Sequence, residues 1–186
     1  MENRLLRARA RGEVSADVAF EELYRDYASL VAAWLTVRVE RAAVDDLAQD
    51  VWLIFYQRWR RWEHGAEMES VEARPVLSFL FRTCQFVARG HRRGAAGRME
   101  SAGPFETAEL PDSSETPEAL ARRVDAGRCL SLAGRVCSEE ELDVLLAKLT
   151  GMSAREIAGT LSITEAVVDH RYRRALGRLR KEVGTP

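Results

Sequence analysis

Cysteine is scarce in this 186-residue sequence: only Cys84, Cys129 and Cys137 occur, an odd number with no C-x-x-C pair. That pattern supplies neither a disulfide framework nor a cysteine zinc site, and it fits a reduced, cytoplasmic setting. Histidine is equally sparse. His64, His91 and His170 fall in different segments, with no carboxylate or cysteine at a recognisable catalytic or metal-ligating spacing, so no enzyme, metal or cofactor is expected. No apolar run approaches the roughly 20 residues of a membrane span, and Met1-Glu2-Asn3-Arg4 opens no signal-peptide apolar region, so membrane insertion and export are not expected. Sustained apolar–polar alternation is missing too, as is any internal repeat, which leaves an all-α chain.

An excess of one charge is also lacking, since 28 lysines and arginines face 29 aspartates and glutamates. The charges are nevertheless segregated. Arg89, His91, Arg92, Arg93 and Arg98 form a stretch without acids, and Glu100, Glu106, Glu109, Asp112, Glu115 and Glu118 follow without a base. Arg171, Arg173, Arg174, Arg178, Arg180 and Lys181 then make the C-terminal segment basic again. Two basic modules around an acidic connector suit a protein that touches a polyanion at two places.

Apolar spacing divides the chain further. After Asp17, a good N-cap, Phe20, Leu23, Tyr24, Tyr27, Val31 and Trp34 recur at helical intervals. A second helix from near Val44 to about Trp62 buries Leu47, Val51, Ile54, Phe55 and Trp59 and carries a separate stripe of Asp46, Gln49, Asp50 and Leu53. A third opens at Pro75, suited to a first helical turn, and turns Val76, Leu80, Cys84 and Val87 inward. The opposite face of that helix repeats Ser78, Arg82, Gln85, Arg89 and Arg92, extended by Arg93. From Gly94 to Pro117 the composition is that of a solvated linker. The expected organisation is therefore an N-terminal extension over 1–16, a helical domain over 17–93, a linker over 94–117 and a second domain over 118–186.

The second domain carries two capping boxes, Ser138-x-x-Glu141 and Ser153-x-x-Glu156, with Gly151 between them as a helix-ending residue. A last helix starts near Thr164 and buries Val168, Tyr172, Ala175 and Leu179. Ser153 to Val168 reads as a helix-turn-helix, in which small Ala158 permits close helix approach and Leu161 and Ile163 bracket the turn. Its second helix presents Glu165, Ala166, Asp169, His170 and Arg173, with Arg171, Arg174 and Arg178 placed to reach phosphates beside a major groove. The bland alternative is a helical hairpin with a solvated charged face.

The segment LAKLTGMSAREIAGTLSITEAVVDHRYRRALGRLRKEV resembles region 4 of extracytoplasmic-function sigma factors, which reads the minus-thirty-five promoter element. FEELYRDYASLV, AVDDLAQDVWLIFYQRW and FLFRTCQFVARGHRR are similar to region 2 of the same family, which binds polymerase core and opens the minus-ten element. The resemblance covers roughly Ala19 to Glu182. It implies a transcription-initiation subunit whose partners are RNA polymerase core, promoter DNA and an anti-sigma factor. Asp46, Gln49, Asp50 and Leu53 would then dock on the clamp helices of the largest-but-one polymerase subunit. Arg82, Gln85, Arg89, Arg92 and Arg93 would run along the minus-ten region. The loop around His64 to Ser70 would capture a flipped-out base. The physics of the acidic stripe agrees with a basic partner, because Asp46 and Asp50 one turn apart repel by a few tenths of a kcal/mol until a cation faces them.

Trp52, Tyr56, Trp59 and Trp62 could stack on bases, although their helical spacing is more typical of core packing. Three departures from the family stand out: Phe79-Leu80 and Phe86 replace a usual Trp-Leu and Asn, Ser162 replaces a turn glycine, and Asp169 stands where a lysine is common. Two other functions stay open at this point: a sigma-like factor that occupies polymerase or an anti-sigma partner, and a helix-turn-helix repressor.

Overall fold

The computed structural model describes residues 2–61, 75–96 and 117–184, all in helices or the short turns between them. The elements are α1 (Glu2–Ala10), α2 (Ala16–Thr36), α3 (Arg41–Arg61), α4 (Pro75–Ala96), α5 (Pro117–Val136), α6 (Glu139–Leu149), α7 (Ala154–Leu161) and α8 (Glu165–Val183). The connector expected between Gly94 and Pro117 falls largely on 97–116, and the base-capture loop from His64 to Ser70 on 62–74; both stretches lie outside the described residues.

Helices α2, α3 and α4 close the first core. Trp34, Phe55, Trp59, Phe81, Val31, Val51 and Leu80 are fully buried there. Trp34 meets Phe81 edge to face at 4.8 Å between centroids, a geometry that suits the ring quadrupoles. Trp52 and Trp59 are buried and Tyr56 packs on Phe20 at 5.0 Å, so these aromatics belong to the packing; Trp62 lies outside the described residues. Cys84 sits in the same core, where burial pushes its thiol up to about 12 and leaves it unreactive. The N-cap of α2 is Ser15, not Asp17: the Ser15 hydroxyl accepts the Val18 amide at 3.2 Å.

The stretch assigned to an N-terminal extension folds as α1. Leu5 and Leu6 are buried against the first core, and Arg9 lies over the Trp59 ring at 3.9 Å while donating to the Trp59 carbonyl at 3.1 Å. Such a cation–π contact is favourable by roughly 0.5–2 kcal/mol depending on desolvation.

In the C-terminal half both expected capping boxes form, with Ser138 and Ser153 each exchanging bonds with the glutamate three residues on. Ile157, Ala158 and Val168 are buried where α7 crosses α8. Ser162 ends α7 in the left-handed region at φ 55°, ψ 45°, as the glycine-less turn requires. A Cβ-bearing residue pays about 1 kcal/mol there. Ser162→Gly is therefore expected to raise stability by about 0.5–1 kcal/mol, read as a higher urea midpoint at unchanged slope.

The two halves are packed against each other, a feature that composition does not disclose. The Thr160 hydroxyl of α7 donates to the Ser78 hydroxyl of α4 at 3.0 Å, buried from solvent. Arg38, just after α2, pairs with Asp143 of α6, and both side chains are buried. Gly134 of α5 allows close approach at the same seam, since a Cβ there would stand 3.1 Å from the Val37 carbonyl oxygen.

Candidate polymerase and nucleic-acid interfaces

Helix α3 separates its two stripes cleanly. Val44, Leu47, Val51, Trp52 and Phe55 face the core, while Asp46, Gln49 and Asp50 are exposed and Leu53 is 55% exposed. Three polar residues around an exposed leucine form a face with an apolar centre, the anatomy of a protein interface. Tyr24 of α2, read from sequence as one of the inward positions, is 48% exposed and rests on Trp52 at 4.7 Å between centroids. It borders the α3 stripe, and no spacing rule on α2 alone could have put it there.

The face of α4 is divided. Arg82, Phe86 and Arg93 are exposed, Phe86 to 67%. Ser78 is buried against Thr160, and Gln85 is only 8% exposed, with its side-chain nitrogen lacking a hydrogen-bond partner. Arg89 reaches Asp143 at 3.6 Å and Glu139 at 4.0 Å, and Arg92 pairs with Glu139. Gln85, read from the sequence as part of the outward face, is instead covered. The physical reason is that α6 and α7 pack on that half of the stripe.

On α8 the expected outward residues are outward: Glu165, Ala166, Asp169, His170 and Arg173 are exposed, and Arg171 is half-buried. The Arg173 side chain donates to the Asp169 carbonyl at 3.2 Å. Arg174 and Arg178 have internal work. Each guanidinium pairs with the buried Glu141 carboxylate, at 3.0 and 2.9 Å, and Arg178 also donates to the Val136 carbonyl at 3.2 Å. Glu141 is the same residue that completes the α6 capping box, accepting the Ser138 amide at 3.0 Å. Next to it, a backbone hydrogen bond at Glu140 and then the Ser138 hydroxyl hold the Glu140 carboxyl below the usual range. Among the described residues no cluster of potential metal ligands occurs, and no helix is long and apolar enough to cross a membrane.

Comparison with known proteins gives a consistent result. The ECF RNA polymerase sigma factor SigD of Mycobacterium tuberculosis is 30% identical over 153 residues, which cover 80% of this chain and 66% of SigD. SigL, an ECF RNA polymerase sigma factor of the same organism, is 26% identical over 175 residues, 93% of this chain and 94% of SigL. The chain belongs to the ECF RNA polymerase sigma factors. The same fold occurs in CnrH, solved in complex with the cytosolic domain of CnrY, with a TM-score of 0.62 and 22% identity over 99% of this chain and 98% of that one. No family profile matches the chain. The match to SigD leaves about a third of that relative uncovered, while the match to SigL runs nearly end to end.

Proposed function

We propose that this sigma factor binds RNA polymerase core through the α3 stripe and directs it to promoters with two DNA-reading surfaces, one on α4 and one on α8. The observation that carries the reading is the coexistence, in one chain, of the exposed Asp46, Gln49, Asp50 and Leu53 face and a helix-turn-helix whose second helix leaves Asp169, His170 and Arg173 outward. A repressor needs only the second. Domain roles follow as in the sequence reading: 17–93 for core and the minus-ten element, 118–186 for the minus-thirty-five element. On α4, Arg82, Arg89, Arg92 and Arg93 supply cations for the DNA backbone, Phe86 offers an aromatic face among them, and Gln85 joins them once uncovered. On α8, Glu165, Ala166, Asp169 and His170 face base edges, where a carboxylate can accept from cytosine N4. By analogy with CnrH and its bound CnrY domain, an anti-sigma partner regulates the chain.

A map of the DNA sites bound by the tagged chain in cells tests this reading. The expected motif has two separate blocks at one fixed spacing upstream of transcription starts; a single palindromic block would favour the repressor.

The geometry of α8 also divides its arginines. Arg171→Ala with Arg173→Ala is expected to weaken duplex binding by the full chain and to flatten the plot of log affinity against log salt by about two units, one for each lost phosphate contact. An unchanged slope would remove both residues from the DNA interface.

A further inference from the structure

Phe86 stands apart from the aromatic core of the first half. Phe20, Trp34, Trp52, Phe55, Phe79 and Phe81 pack ring against ring, whereas Phe86 joins none of these pairs and is 67% exposed on α4. A single exposed phenylalanine is ordinary on a protein surface. Its company is not. Phe86 lines a groove with Arg82, Arg89, Arg92 and Arg93, and the one acid among the described residues that line it is Glu139. Arg82, Arg89 and Arg93 stand four residues before, three after and seven after Phe86, so they share its side of the helix.

Four residues after Phe86, still inside the helix and exposed, comes Gly90. Helical side chains lean towards the N-terminus, so the side chain at position 90 is the one that would cover the space beside Phe86. Glycine leaves that space open. A Cβ built at Gly90 would meet nothing within 4 Å, so packing within the chain does not require the glycine, and a helix interior disfavours it relative to alanine. We infer that Phe86 and Gly90 form a stacking slot in which α4 holds one unpaired base of the promoter strand, with Arg82, Arg89 and Arg93 holding the phosphates beside it. The inference rests on the reading of α4 as a DNA surface and adds the residues that engage a base there.

The chemistry of the ring sets what the slot can read. A phenyl group has no hydrogen-bond donor or acceptor, so it reads no base edge and takes any base through its face. The slot therefore recognises the unstacked state of a base, not its identity. Duplex DNA offers no such base, because each is already stacked between its neighbours; a strand that has lost its pairing does. A contact made only with the separated strand shifts the balance between closed and open DNA towards the open form.

The test uses the full chain and two probes: an oligothymidylate with one fluorescent adenine analogue at its centre, and an abasic strand of the same length. Stacking on an aromatic ring quenches the analogue, so its emission reports the slot while titration reports affinity. Phe86→Ala is expected to weaken binding of the first probe at least about fivefold, the low end of what one base–aromatic stack supplies, and to abolish the quench. Its plot of log affinity against log salt should keep the parent slope, because no charge is lost. The exposed ring can be removed without opening the core. Gly90→Leu fills the slot and favours the helix, so its urea midpoint should be no lower than the parent's while affinity and quench fall as in Phe86→Ala. The abasic strand should bind all three proteins alike. Arg82→Ala with Arg93→Ala is expected to flatten the salt slope by about 1.4 units, about 0.7 for each phosphate contact on a single strand. Parent-like affinity and quench in Phe86→Ala would overturn the slot. A flattened slope in the arginine variant would then still uphold α4 as a DNA surface, and an unchanged slope would locate the failure in that reading itself. Parent-like binding by a stably folded Gly90→Leu would also overturn the slot, since leucine and a base cannot share the space, as would a parent that binds the probe without quenching it.

Discussion

Asp46→Lys combined with Asp50→Lys is expected to lower affinity for core polymerase at least tenfold, equivalent to about 1.4 kcal/mol or more. Both carboxylates are exposed on α3, one turn apart, with Leu53 on the same face and Trp52 and Phe55 turned into the core behind them. Reversal at these positions changes the charge of the face by four units without touching the packing. It places two cations against a partner surface expected to be basic, so both the steering and the bound state are penalised. The fold should not notice, because neither side chain is buried. His170→Ala with Arg173→Ala, in the other half of the molecule, is expected to leave core affinity unchanged and to reduce initiation from promoters that depend on the upstream element. The two pairs lie on separate helices, α3 and α8, and sites with no partner in common act nearly independently. Titration of labelled core with each variant checks the pair.

Glu141→Ala is expected to lower stability by about 2–3 kcal/mol, from the loss of a cap and charge-assisted hydrogen bonds. One buried carboxylate closes the α6 capping box and holds both Arg174 and Arg178 of α8, tying the start of one helix to the middle of another. The arginines are about half exposed and regain water when released, which limits the cost. Glu156→Ala removes the corresponding carboxylate from the α7 capping box and is expected to cost about 1 kcal/mol for the lost cap. Urea denaturation of the two variants side by side reads the difference. Equal losses would mean that Arg174 and Arg178 contribute nothing through Glu141.

Much of this architecture is legible in the sequence, for identifiable reasons. Pro75 at a first helical turn, the two S-x-x-E boxes and the apolar stripes of α3 and α4 are local signals, and each appears in the structure where its spacing puts it. Ser162 stands where the resemblance puts a turn glycine, and its backbone is left-handed there. Signals that depend on a distant partner were hidden. Nothing in Glu2–Ala10 announces that Leu5 and Leu6 will cover the first core, and Ser15 outcompetes Asp17 as a cap through its own backbone geometry. Gln85, Arg89 and Arg92 have the spacing of a solvated face on α4, and only the arrival of α6 and α7 buries the first and pairs the others. Arg174 and Arg178 likewise read as phosphate ligands, and nothing in their spacing discloses that each also pairs with Glu141, more than thirty residues earlier. Charge on a helix face states that a partner of opposite charge is wanted; it does not state whether that partner is DNA or the chain itself.

The central claim is that this chain directs RNA polymerase to promoters, and run-off transcription with purified core polymerase tests it most directly. Templates taken from the sites the chain occupies in cells should yield a discrete transcript only when the chain is added, and the yield should collapse with the double lysine variant of Asp46 and Asp50. Tight binding of core without any chain-dependent transcript from those templates would contradict the account and make the protein an occupant of polymerase, not a guide for it.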